Sequence, residues 1–146
     1  MDWIVLDNES KIKELMNLYN NFEDAFLTKF EFDSGNFVDC EGVGYSNNLN
    51  KLSMQFQRMD DNPFSIEIVF EYLTKLNFFP PNWDGKYADI ADINFAKIVK
   101  NDSNIYWTQW EDFDPYNHKH LNFNDFTLVE AKKAKWRMVS ETQSER

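Results

Sequence analysis

Cysteine, histidine, glycine and basic residues are all scarce in this chain. Cys40 is the single cysteine among 146 residues, which excludes an internal disulfide framework and any thiolate zinc cluster. With two histidines in the whole sequence, and both in one short segment, Cys40 has no convincing imidazole partner and no Ser/His/Asp or Cys/His triad can be assembled. Four glycines leave no G-x-G-x-x-G or Walker pattern, so phosphate binding by a glycine-rich loop has no support. Fifteen Lys and Arg against 25 Asp and Glu give a net charge of −10, a field that repels phosphate backbones and anionic membrane surfaces. The same field favours a basic protein partner or a cation. No apolar run approaches the ~18 residues of a membrane span. The opening MDWIVLDNES has neither the basic nor the apolar region of a secretory signal, and a cytoplasmic protein is the expectation.

Aromatic residues are abundant instead: 14 Phe, 6 Tyr and 5 Trp make up 17% of the chain. That much large apolar surface argues for a packed core rather than disorder. One helix is expected from roughly Ser10 to Phe22, where Ile12, Leu15, Met16, Leu18, Tyr19 and Phe22 recur at helical spacing and Asn8 or Ser10 can cap the start. After it the period drops to two. Phe26, Thr28, Phe30 and Phe32 alternate before an Asp33-Ser34-Gly35-Asn36 turn and the start of another strand, and residues 41–51 read as a loop rich in Gly and Asn. Leu52, Met54 and Phe56, then Ile66, Ile68 and Phe70, alternate around Asp60-Asp61-Asn62-Pro63 and predict a β-hairpin. Pro80 to Gly85 reads as a loop. Further strands are expected over residues 93–100 and from Ile105 to about Glu111. Residues 127–139 fit a strand with a parity slip between Ala131 and Trp136, or a helix.

The sum is an α+β, mainly β domain: one N-terminal helix and a mostly antiparallel sheet of six or seven strands. A single globular domain is expected over residues 1–139, with a polar tail over 140–146 that frays.

Four elements recur in order along the chain. They are Phe22-Glu23-Asp24-Ala25 leading to Ser34-Gly35; Phe56-Gln57-Arg58 followed by Asn62-Pro63 and Ile66-Glu67; Ile105-Tyr106-Trp107 running into Glu111-Asp112; and Ala131-Lys132-Lys133-Ala134-Lys135-Trp136-Arg137. Their order resembles a family of small uncharacterised bacterial proteins. The resemblance implies a strand-rich single domain and supplies no catalytic residues. In type it is also similar to the acidic immunity proteins and antitoxins of bacterial toxin systems.

Residues 105–120, IYWTQWEDFDPYNHKH, hold the densest chemistry. His118 and His120 could share a metal if they sat on a strand, but Pro115, Asn117 and Asn122 mark a loop, and no metal is expected. Glu111, Asp112 and Asp114 lack the EF-hand pattern and a defined carboxylate separation, so neither calcium binding nor glycoside hydrolysis is supported. If Ile105 and Trp107 face the core, Tyr106 and Trp110 form either a second buried face or an exposed platform. Lys132, Lys133, Lys135 and Arg137 read as charges that blunt a sheet edge, with an anion patch as the alternative. No enzyme and no cofactor is implied. The leading expectation is an acidic protein-interaction module, presenting Tyr106, Trp110, Glu111, Asp112, Phe113 and Asp114 to a basic partner. The competing expectation is a small-molecule or carbohydrate-binding domain using Trp83, Trp107 or Trp110.

Overall fold

The computed structural model describes residues 2–47, 49–58, 65–79, 92–119 and 126–139. The expected turn at 60–63 and loop at 80–85 lie outside them, as do Trp83, His120 and the tail. Asn8 starts helix α1, Glu9–Leu18, by accepting a 2.9 Å bond from the Lys11 amide through its side chain. Such a cap contributes about 1 kcal/mol. The helix stops four residues earlier than its apolar stripe suggests. Asn20, Asn21 and Phe22 all take positive φ, 49°, 53° and 62°, and throw the chain back toward the sheet. Asn tolerates this region, whereas Phe22 is strained by about 1–3 kcal/mol. Burial of its ring offsets that cost, because it meets Tyr19, Phe56 and Trp107 at 5.2, 5.0 and 5.9 Å between centroids.

The strands are β1 Ile4–Val5, β2 Ala25–Asp33, β3 Phe37–Val38, β4 Gly44–Tyr45, β5 Lys51–Arg58, β6 Ser65–Asn77, β7 Lys97–Lys100, β8 Ile105–Thr108 and β9 Leu128–Met138. Seven form one sheet in the order β2-β5-β6-β9-β8-β7, with β1 also on β9, and every pairing is antiparallel. β3 and β4 make a separate hairpin between β2 and β5. Two expected strands are shorter: β7 covers only 97–100, and β8 ends at Thr108 instead of reaching Glu111.

The parity slip in residues 127–139 is real, and those residues form a strand. Ala131 and Ala134 both reach the core while Lys132 and Lys133 between them are exposed. β6 flips in step, since Phe70 opposes Ala134 and Leu73 opposes Ala131. Tyr72, at φ 58°, absorbs the flip, and the amides of Tyr72 and Leu73 turn to the Asn50 carbonyl and side chain. A one-residue slip in only one strand would have turned its inward residues to solvent.

α1 covers one face of the sheet. Ile12 and Leu15 from the helix meet Leu52, Met54, Phe56, Ile66, Ile68, Phe70, Ile105, Trp107, Val129 and Trp136 in the main core. A second, smaller core of Tyr106, Phe113 and Leu128 lies apart from it. No helix among the described residues is long and apolar enough to cross a membrane.

Candidate functional site

Both faces of β8 are buried, which settles the question its alternating pattern left open. Ile105 and Trp107 enter the main core, while Tyr106, only 1% exposed, enters the second. Lys97 on β7 makes this possible. Its Nζ donates to the carbonyls of Glu111 at 2.6 Å and Phe113 at 2.8 Å. The loop after β8 is thereby pulled back, and Phe113 lands on Tyr106 with ring centroids 5.1 Å apart. Burial pushes the Lys97 ammonium below its ordinary pKa, and the charges of Asp112, Glu111 and Asp114 oppose that shift. The acidic run therefore neutralises a structural lysine in addition to facing water.

The expected partner surface is corrected accordingly. Tyr106 and Phe113 are buried, and Trp110 is half-buried against Phe126 at 4.9 Å. Only Glu111, Asp112 and Asp114 of that set are exposed. Trp107, at 1% exposure, is core and cannot stack on a ligand, which removes it from the carbohydrate expectation.

Around the Tyr106 hydroxyl the chain assembles a polar cluster. Asn101, at the β7–β8 turn, uses its whole side chain. Its Oδ1 accepts from the Ser103 and Asn104 amides at 3.0 and 2.8 Å, and its Nδ2 donates to Tyr106 Oη at 3.1 Å and to the Pro115 carbonyl at 2.8 Å. His118 Nε2 lies 3.2 Å from the same Oη, and its ring packs on Tyr106 and Phe113. Burial, and then the Glu130 carboxylate, raise the Tyr106 pKa, so the phenol stays protonated at neutral pH. Glu130 in turn accepts a 2.6 Å bond from Thr74 Oγ1. Among the described residues no cluster of three or more metal-ligating side chains occurs. His118 is committed to Tyr106, and His120 lies outside the described residues. Above this cluster lies an open cleft of about 600 Å³ between residues 101–104 and 115–119. Asn104 Oδ1 and His118 Nδ1 are buried at its wall without a protein hydrogen bond, a condition that costs about 1–3 kcal/mol per group if nothing satisfies it.

The basic run 132–137 does not guard an edge. β9 is interior, bonded to β6 on one side and to β8 and β1 on the other. Two of its charges, Lys135 and Arg137, pair across the sheet instead. Arg137 donates through Nε and Nη2 to Glu67 at 3.0 and 2.9 Å, and Lys135 sits 3.7 Å from Glu71. Trp3 is stacked by Arg137 and Lys135 at 4.3 and 4.9 Å. Among the described residues the edges fall to β2 and β7 at the ends of the path and to β1, which pairs with β9 alone.

The exposed aromatics lie elsewhere, in a segment whose second half reads as plain loop. On the β3–β4 hairpin and its flanks Phe32, Phe37, Val38, Val43, Tyr45 and Leu49 are all exposed, Val38 to 69%. Phe37 and Tyr45 stack at 4.9 Å. The hairpin has no core of its own and is held by polar ties. Asp39 accepts from the Glu41 and Val43 amides, each at 2.9 Å, and these bonds, led by that from Val43, hold its carboxyl below the usual range. Asn47 bonds to Gly35 O and Asn36 Oδ1 at 2.6 and 3.0 Å, anchoring the base. Gly35, at φ +78°, is required there, because a Cβ would stand 2.5 Å from Asn47 Oδ1. Phe37-Val38 and Gly44-Tyr45 about an Asp-Cys-Glu-Gly turn are the sequence signal for this hairpin, too short for alternation to reveal. No family model, no curated protein and no solved structure matches the chain.

Proposed function

We propose that the chain is a non-enzymatic, acidic protein-interaction module, of the type of a bacterial immunity protein or antitoxin that neutralises a basic toxin. The observation that carries this reading is the β3–β4 hairpin. Six large apolar side chains stand in water on the anchored hairpin and its flanks, interspersed in sequence with Asp33, Asp39 and Glu41. A local concentration of exposed apolar side chains, with Phe37 and Tyr45 stacked, supports a contact site for another macromolecule. An aromatic centre with a charged rim is also the usual anatomy of a binding hot spot. The chain's net charge of −10 selects a basic partner and opposes both nucleic acid and a second copy of itself. Glu111, Asp112 and Asp114 add to that field without contributing aromatic contacts.

The test is binding between the purified chain and the basic protein encoded beside it, by calorimetry at low and high salt. Affinity is expected to fall as salt rises, because screening weakens electrostatic recognition. Phe37→Ser with Tyr45→Ser is expected to weaken it by a further ~100-fold, as removal of two hot-spot aromatics does. Affinity that ignores both salt and the double substitution refutes the reading, as does the consistent absence of a basic neighbour.

A further inference from the structure

The cleft over Tyr106 lies outside the hairpin and has a chemistry of its own. Its floor is a fixed polar network, and its volume of about 600 Å³ falls within the range of sites that enclose small ligands. Most of the side chains that line it are neutral amides and hydroxyls, with Asn104, Tyr106, Tyr116 and Asn117 among them. Asp102 and Glu130 stand beside Lys119, so the lining carries few charges and both signs. The Glu130 carboxylate adds acceptor capacity to this lining. The ring of Tyr116, 70% exposed, stands at the rim as a flat apolar face. Its backbone is held by a 2.9 Å bond from its amide to Asp114 Oδ1, so the ring is presented from an ordered turn.

From this arrangement we propose that the cleft binds a neutral, hydroxyl-rich ligand of the size of a monosaccharide unit. Hydroxyl groups both donate and accept, which matches a lining that mixes side-chain amides and hydroxyls with carboxylate acceptors. The C–H face of a pyranose suits an exposed tyrosine ring. Anions meet the carboxylates of Asp102 and Glu130 on a chain of charge −10. Cations meet Lys119, and a mostly uncharged lining offers them little to pair with. The proposal does not depend on the hairpin reading, since the two surfaces share no residue.

Titrating the ¹⁵N-labelled chain with glucose, galactose, mannose and N-acetylglucosamine tests it. At least one sugar is expected to shift the amides of residues 101–104 and 116–119 saturably, while hairpin amides stay still. Tyr116→Ala, at a position too exposed to threaten the fold, is expected to weaken that sugar about five- to tenfold, the value of one aromatic contact. Asn104→Ala should weaken it as well, with an unchanged spectrum elsewhere reporting that the fold is intact. Failure of all four sugars to saturate overturns the proposal, as does wild-type affinity in Tyr116→Ala. Saturation of the same amides by inorganic phosphate or by arginine, in place of sugar, also overturns it and marks an ion site.

Discussion

Replacing Lys97 with methionine isolates the device that closes the second core. Methionine keeps the apolar stem and deletes the ammonium, so packing changes little while two hydrogen bonds disappear, to Glu111 O and Phe113 O. A bond from a charged donor contributes about 1.5–3 kcal/mol when buried. Here one of the two is exposed and the other part-buried, so solvent competition lowers the sum to about 1–3 kcal/mol. The substitution also leaves Glu111, Asp112 and Asp114 without the positive charge they surround. For a domain of this size the loss corresponds to a fall in Tm of about 3–10 °C. Urea unfolding at low salt and in 0.5 M NaCl separates the two effects, since salt should restore only the part due to carboxylate repulsion. Asp112→Asn on the Lys97→Met background should then be less damaging than on the wild type. Stability within about 0.5 kcal/mol of wild type, with unshifted Tyr106 and Phe113 amides, would refute the closing role.

Three further outcomes follow from the same contacts. Trp107→Ala empties the junction of Phe22, Phe56 and β9 and should cost about 3–5 kcal/mol by chemical denaturation, a large share of a domain's stability. Tyr106→Phe should cost about 0.5–1.5 kcal/mol at pH 8 through its bonds to Asn101 and His118. Because the folded pKa of Tyr106 lies above its ordinary value of 10.0, the wild type should lose stability as pH rises past that value toward the folded pKa. Tyr106→Phe lacks this loss, so the gap between them narrows in alkali, and absorbance titration should find a late tyrosine that this substitution removes. Asp39→Ala should speed amide exchange at Glu41 and Val43 while leaving Tm within about 2 °C, because the hairpin carries no core; a global loss of stability would contradict that independence.

Local pattern alone determined much of this protein. Helical spacing from Ile12 to Tyr19 and strict alternation in Leu52–Phe56 and Ile66–Phe70 specified a helix on a mainly antiparallel sheet, since each element must bury one face. Even the parity slip near Lys132 was legible, because Val129 and Ala131 fall on one parity and Trp136 and Met138 on the other. Tertiary structure decided the rest. Whether Tyr106 faces water depended on a lysine nine residues earlier capturing carbonyls after β8, and periodicity carries no record of such a bond. Lys135 and Arg137 of β9 looked like edge protection until strand order placed that stretch between β6 and β1, with Glu71 and Glu67 as their partners. The exposed hairpin was legible only in its first half: a strand after the Ser34-Gly35 turn was expected, but its partner Gly44–Tyr45 is too short to leave a period. What a side chain touches across the fold is set by how strands are ordered and how loops return, and that order is fixed only when the distant segments pack together.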